Sequence, residues 1–299
     1  MTGTPNSGAR AAAFFDLDGT LIPEPSLEWR FFSELRREHG IPFANYFWWG
    51  VEALRLLPKG LLAVQHSNKR YLTGIYRDVM FRHMEPISFF EEGIARVVWH
   101  AQQGHEIVLV SGTLEPLAQL AASALECELE LRGFQVRPYV CATVFAEARG
   151  RWTGYILGEA LYGAAKARAV ERFARQEQVD LRECHAYGNS LLDREFLCVV
   201  GHSNAVNAAS KFATIANEKN WPIWHWHLAK QLVEQDNADL WKSTTLRNQH
   251  EREKHQRMES AIIRFDLHDR KPVRQNRGGF AGCRKGNAAR VANVAENSC

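Results

Sequence analysis

Apolar and polar positions alternate along this chain in blocks that change period. Residues 1–10 are small and polar and read as a flexible leader. Ala11 to Phe15 is an unbroken apolar run that stops at Asp16, the pattern of a central strand buried on both faces. From Ser26 to Glu92 apolar residues recur at helical spacing, with breaks at Gly40-Ile41-Pro42 and Pro58-Lys59-Gly60, which predicts three or four helices. "GIARVVWHAQQGH" predicts a helix ending near Gly104, "EIVLVSGT" a second buried strand, and "EPLAQLAASALECEL" a helix with Pro116 in its first turn. "GFQVRPYVCATVFAE" and "RWTGYILG" predict a third parallel strand and a small hairpin. "YGAAKARAVERFARQEQ" predicts a helix, and "ECHAYGNSLLDREFL" a strand, a polar loop and a short helix. Strands alternating with helices imply a parallel sheet covered on both faces. "WPIWHWHLAKQLVEQ" suggests one last amphipathic helix, carrying His225, Trp226 and His227. The basic stretch that follows looks solvated or disordered.

Composition narrows the class without naming a partner. With 299 residues, 45% hydrophobic and 24% charged, the chain has the make-up of an ordinary soluble globular protein. The net charge of +3 is unevenly spread: from Lys230 onward 14 basic residues face 9 acidic ones, so the excess sits in the tail. No signal peptide is visible, and Glu52, Arg55 and Lys59 interrupt the most apolar stretch, so a cytoplasmic protein without a transmembrane segment is expected. The six cysteines show no CxxC pair and no zinc-finger spacing. Nothing points to a specific nucleic-acid partner; peripheral membrane contact stays open, and no oligomeric state is indicated. The aromatic cluster Phe43, Tyr46, Phe47, Trp48 and Trp49 reads first as a helix–helix core and second as an apolar substrate pocket or membrane-facing surface.

"FFDLDGTLI" raises a chemical question. In a strand, alternate side chains share a side, so Asp16 and Asp18 crowd two like charges at the end of a buried element. Such a pair needs a cation or a shared proton. Three predicted strands each end in a polar loop: Asp16-x-Asp18, Ser111-Gly112-Thr113 and Gly188-Asn189-Ser190-x-x-Asp193. The carboxyl ends of parallel strands form the ligand crevice, so these three can meet in space. Lys166, near the start of a helix, is a fourth candidate.

"FFDLDGTLI", "VLVSGT", a lone lysine and "YGNSLLD", in that order, resemble the haloacid dehalogenase (HAD) superfamily. The helical insertion between the first two motifs is similar to that of subfamily IB, the phosphoserine-phosphatase-like branch. The resemblance covers roughly residues 11–220 and leaves the tail out. Composition makes 221–299 a basic, largely disordered extension. The resemblance implies an α/β fold, a Rossmann-like parallel sheet core (11–25 and 93–220) with an inserted α-helical C1 cap (26–92). It implies a Mg²⁺-dependent phosphomonoester hydrolase acting through an aspartyl-phosphate on a small or lipid-like phosphate ester. Asp16 would be the nucleophile and Asp18 the acid and base. Ser111, the Gly112 amide and Lys166 would hold the phosphoryl group. Mg²⁺ would lie on Asp16, Asp18 and Asn189, with Asp193 behind them. Asn189 departs from the family pattern, where an Asp ligand is common. Either its amide oxygen ligates while Asp193 restores charge, or the metal site is impaired. Glu24-Pro25-Ser26 stands where phosphoserine phosphatases tend to carry Glu-Glu-Gly, which argues against phosphoserine as substrate. Phosphotransfer to another alcohol and a non-catalytic binding protein are the alternatives.

Overall fold

The computed structural model describes residues 10–60, 67–77 and 84–228. Its centre is β1 (Ala12–Phe15), every residue of which is buried. The strand can be apolar throughout because both its faces are covered. Ala13 and Phe15 point to one side, where they pack with Ile94 and Val97 of α3 (Glu91–Gln102) and Leu117, Ala121 and Leu125 of α4 (Glu115–Leu131). Ala12 and Phe14 point to the other, against Ala165, Ala169 and Phe173 of α5 (Ala164–Glu177) and Phe212 of α6 (Ser210–Glu218). The period of two in the strand thus feeds two separate cores.

Around β1, the strands β2 (Glu106–Leu114), β3 (Tyr139–Thr143), β6 (His185–Gly188), β7 (His202–Val206) and β8 (Ile223–Trp224) complete a six-stranded sheet. The order is β3-β2-β1-β6-β7-β8 and every pairing is parallel. This is the Rossmann-like architecture expected from the alternating blocks. A hairpin of β4 (Phe145–Ala148) and β5 (Arg151–Ile156) stands apart from the sheet, as the sequence suggested. Pro116 does occupy the first turn of α4, where its missing N–H has no helical partner to lose.

Among the described residues between β1 and α3 lie α1 (Leu27–Arg37), α2 (Phe43–Leu56) and two single turns of 3₁₀ helix at Leu57–Lys59 and Arg70–Leu72. Ser26 caps α1 by accepting a hydrogen bond from the Trp29 amide at 3.3 Å. The expected aromatic core is only half present. Phe32, Trp49 and Tyr71 meet edge to face or tilted with centroids 5.0–5.7 Å apart, whereas Phe43, Phe47 and Trp48 are exposed. The insertion leans on the hairpin: Gly74 N–H donates to Trp152 O, and Trp152 N–H returns a bond to Ile75 O. No described helix is long and apolar enough to cross a membrane.

The chain departs from expectation after Asn220. The last helix is absent from its described part, and residues 221–228 instead complete the sheet. Pro222 has no N–H to give a helix, while its carbonyl accepts from Ala205 N–H and that of Trp224 accepts from Asn207 N–H. Pairing along the β7 edge satisfies these groups without a helix. Trp226 is then buried against Gly93, and His227 pairs with Glu92. The ordered core therefore runs past residue 220, and α3 begins at Glu91, inside the span assigned to the cap. The rest of the expected tail, from residue 229, lies outside the described residues.

Candidate active site

Three strand ends meet at the carboxyl edge of the sheet. The register pairs Phe15 with Leu109 on one side and with Tyr187 on the other. Two residues further on, Ser111 and Asn189 therefore flank the Asp16–Asp18 turn. Asp16 is buried; its amide donates to Tyr187 O at 3.0 Å and so continues the ladder. The chain then folds back, with Thr20 N–H and Ile22 N–H both donating to Leu17 O. Gly19 takes φ +81° there, and a Cβ on it would lie 2.0 Å from Asn189 Nδ2. Only glycine lets the turn close against the Asn189 side chain.

Lys166 joins what sequence separates. Its buried ammonium lies 2.6 Å from Asp16 Oδ1 and 2.6 Å from Asp193 Oδ1. The other Asp193 oxygen accepts from Asn189 N–H at 3.1 Å, Ser190 N–H at 2.9 Å and the Ser190 hydroxyl at 2.8 Å. Asp193 thus anchors both the lysine and the Gly188–Ser190 loop. Burial opposes the Lys166 charge, but the Asp16 and Asp193 carboxylates outweigh it and hold the ammonium above its usual range.

The two motif carboxylates are less settled. Burial first, and then the Asp193 charge, push Asp16 up to about 7, with Lys166 pulling the other way. Burial likewise raises Asp18 to about 6, although its Oδ1 accepts from Leu27 N–H at 2.8 Å at the start of α1. Thr20 Oγ1 donates to Asp16 Oδ2 at 3.2 Å, the longer of the two bonds on that carboxylate. A single lysine therefore leaves the cluster short of positive charge. The donors around it are carboxylate, amide and backbone oxygens, the set a hard dication such as Mg²⁺ prefers. Asp16, Asp18 and Asn189 fit such an ion.

Ser111, Gly112 and Thr113 were expected as a loop and are instead the last part of β2, immediately before α4. Pairing with β3 shifts register between Val110 and Leu114, so the strand is irregular where these residues sit. The Ser111 hydroxyl accepts from Thr113 N–H at 3.2 Å. The Thr113 hydroxyl is buried and has no hydrogen-bond partner among the described residues, a costly condition that a ligand would relieve. Against Gly112 lies the ring of Tyr162: a Cβ there would sit 2.1 Å from its Cε1. Burial and the charges of Glu28, Asp18 and Asp16 push the Tyr162 hydroxyl well above its usual range. Tyr162 and Thr20 were missed in the sequence. Thr20 is part of the first motif and could have been noticed; Tyr162 precedes α5 with no charge or spacing to mark it.

A parallel sheet whose crevice holds the Asp16 and Asp18 carboxylates, a buried lysine and buried strand-end hydroxyls defines an α/β enzyme core suited to an anionic group. The chain belongs to the haloacid dehalogenase-like hydrolase family, whose model matches residues 13–197. It is 28% identical over 236 residues to the phosphoserine phosphatase SerB1 of Mycobacterium tuberculosis, covering 74% of this chain and 72% of that protein. A Streptomyces azureus protein named for inhibition of morphological differentiation is 26% identical over 238 residues, covering 73% of this chain and 79% of its own. Among solved structures, a Bordetella pertussis protein of unknown function superposes with a TM-score of 0.51 at 20% identity, covering 72% of this chain and 98% of that one. The fold is shared with it. The chain is thus an enzyme, a haloacid dehalogenase-type hydrolase of the phosphatase branch.

Proposed function

We propose that this hydrolase cleaves phosphate monoesters with Mg²⁺ through an aspartyl-phosphate, on a small or lipid-like substrate. The observation that carries the reading is the buried Asp16–Lys166–Asp193 bridge at the carboxyl edge of the sheet. The ammonium holds Asp16 Oδ1 and fixes the carboxylate in place, leaving Oδ2 with only the longer Thr20 bond. Oδ2 attacks phosphorus, and the bond between phosphorus and the ester oxygen breaks. Asp18, half-protonated near pH 6, gives its proton to the departing alcohol. As a carboxylate it then takes a proton from water, whose oxygen displaces Asp16 from phosphorus and releases inorganic phosphate. Ser111, the Gly112 amide and Lys166 would donate to the phosphoryl oxygens, with the α4 N-terminus behind them. Asp16, the Asp18 carbonyl and Asn189 would hold the cation, which would screen the phosphate charge from the attacking carboxylate.

The substrate is set from the side of the helical insertion. Glu28 of α1 accepts from Tyr71 and pairs with Lys69 at 2.8 Å, and its charge is felt by Asp18. Ser26 is spent on capping α1, which leaves Glu24 alone where an acidic pair would receive an ammonium group. A phosphoserine phosphatase among the relatives keeps phosphoserine as a substrate to be tried, but this arrangement favours a phosphate ester without an amino group. Retention of every charged group in the bridge argues against a purely binding role.

The test is hydrolysis of p-nitrophenyl phosphate by the purified chain across a Mg²⁺ titration, with an EDTA control. Saturable, EDTA-sensitive release of phosphate is expected. Comparison of phosphoserine with a short-chain phosphatidate then ranks the substrates. Turnover unaffected by EDTA would refute the metal-dependent mechanism.

A further inference from the structure

The amino edge of the same sheet holds a second polar cluster that hydrolysis does not use. His185 opens β6 and His202 opens β7, while His100 lies in the last turn of α3 and His105 just before β2. One ring nitrogen from each of His100, His105 and His185 lies within 4.8 Å of the other two. The Nδ1 atoms of His100 and His105 are 2.9 Å apart, and the His202 ring stacks on His185 at 4.4 Å. Gly188, three residues along β6 from His185, is already at the carboxylate edge, so the two clusters lie at opposite ends of one strand.

The contacts around His100 leave one ring nitrogen facing the other histidines. Its Nε2 is 2.9 Å from the Tyr187 hydroxyl, a buried group. With Nε2–H donating to Tyr187, the Nδ1 lone pair points at His105. This is how metal-bound histidines are held: the outer nitrogen is fixed by a second partner, and the inner one is presented to the ion. Two Nδ1 atoms facing each other can share only one proton, whereas both lone pairs can serve a dication.

We propose that His100, His105 and His185 form a binding site for a transition-metal dication of the Zn²⁺ class, with His202 or solvent in the remaining position. The donors are all imidazole nitrogens, which suits Zn²⁺, Co²⁺ or Ni²⁺ and excludes Mg²⁺ and Ca²⁺. Zn–N bonds of about 2.0–2.1 Å in a tetrahedron put nitrogens about 3.3 Å apart. The present separations, from 2.9 Å to within 4.8 Å, bracket that value, so ring rotations suffice. An open cleft lined by His185, His202, Lys219 and Trp221 reaches the cluster and gives an ion a path. Two cations oppose it. Arg96 is drawn over the rings of Trp99 and Trp224 at 5.5 and 4.5 Å, and Lys219 over Trp221 at 5.6 Å, which spends part of each charge on an aromatic face.

The test uses the full, untagged chain, stripped with chelator and then held in excess Mg²⁺ so that the oxygen site is filled. Zn²⁺ binding is counted after gel filtration, and Co²⁺ replaces it for visible spectroscopy. One Zn²⁺ per chain is expected, with the intense d–d absorption of a tetrahedral nitrogen site when Co²⁺ is used. His105→Gln/His185→Gln should lose more than about 90% of that binding while keeping the parent's circular-dichroism spectrum, which shows that the variant folds. Tyr187→Phe should weaken Zn²⁺ about tenfold. Asp16→Asn should bind Zn²⁺ as the parent does. Absence of Zn²⁺ from the parent, equal binding by the double histidine variant, or loss in Asp16→Asn would each overturn the site. None of these outcomes depends on the phosphatase reading being right.

Discussion

At the carboxyl edge of the sheet, Lys166 sits buried between Asp16 and Asp193; at the amino edge, His100, His105 and His185 are packed without a carboxylate ring partner among them. Both ends bury polar groups close to Phe15 and Tyr187, whose rings stack at 4.6 Å between them. They solve the same problem differently. The first end keeps a buried ammonium and sets it between carboxylates, at the cost of desolvating charged groups. The second discards charge: burial, then repulsion from His185 and His105, pushes His100 down to about 2, and burial and His202 lower His185 to about 4. A charged cluster is poised to act on an anion and is fragile to any single deletion. A neutral one tolerates loss of a ring but cannot drive displacement at phosphorus.

The sharpest way to break that contrast is at the nucleophile. Asp16→Asn should cut Mg²⁺-dependent hydrolysis of p-nitrophenyl phosphate by at least about a thousandfold, with an unchanged circular-dichroism spectrum. Activity near the parent's level would remove Asp16 from the mechanism. Next is the cation itself. Lys166→Met leaves Asp16 and Asp193 buried together with no counter-charge, and should destabilise the fold by about 3–5 kcal/mol at neutral pH. Urea unfolding measures it. A smaller loss at pH 4 than at pH 7 is expected, because protonating one carboxylate relieves the pair. Asp193→Asn should cost less than Lys166→Met, since it removes a charge while Asp16 still balances the ammonium.

Asp18 tests the pH side of the comparison. Its pKa is raised in the fold from 3.8 to about 6, so the native state holds the proton more tightly than the unfolded chain. The associated stability is fully present below about 3.8 and is lost as pH rises through about 6. The two-unit shift corresponds to about 3 kcal/mol. The depressed histidines act in the opposite direction, gaining stability as pH rises toward the ordinary histidine value, so the parent's profile alone mixes both. Asp18→Asn keeps an acceptor for Leu27 N–H and leaves the histidines untouched. In EDTA the variant should be the more stable protein at pH 7 by about 2–3 kcal/mol, and the gap should close below pH 4. A constant gap across that range would mean that Asp18 does not titrate as described.

How much of this was legible follows from where the signal lies along the chain. β1 and its Asp-x-Asp turn announce themselves because an apolar run ends abruptly in charge, and the parallel sheet follows from strands alternating with helices. Lys166 among the arginines of α5 carried no local mark; only its order among the other motifs singled it out, and the structure shows it bridging residues 150 and 27 positions away. Ser111-Gly112 was misread as a loop because hydroxyl and glycine usually signal turns, whereas here a strand carries them up to the α4 N-terminus. β8 was misread as helix because two residues of edge strand have too little length for a period to show. The histidine cluster was passed over because its members come from α3, the loop before β2 and the starts of β6 and β7, and no spacing along the chain records a meeting made by the register of β6 and β7.

Asn189 gives the smallest expected effect and the most direct reading of the metal side. Its amide lies against the Gly19 turn, next to Asp16 and Asp18, where an aspartate would add a third negative charge to two carboxylates already pushed upward. Without metal, Asn189→Asp should therefore lower stability by about 1 kcal/mol through like-charge repulsion. With metal the sign reverses, because the added charge falls on an oxygen facing the ion. The half-saturating Mg²⁺ concentration for turnover should drop about tenfold, and Mg²⁺ should raise the melting temperature more than it does in the parent. The two measurements must move in opposite directions as Mg²⁺ is added. If both stay flat, Asn189 does not face the ion, and the cation is held by Asp16 and Asp18 alone.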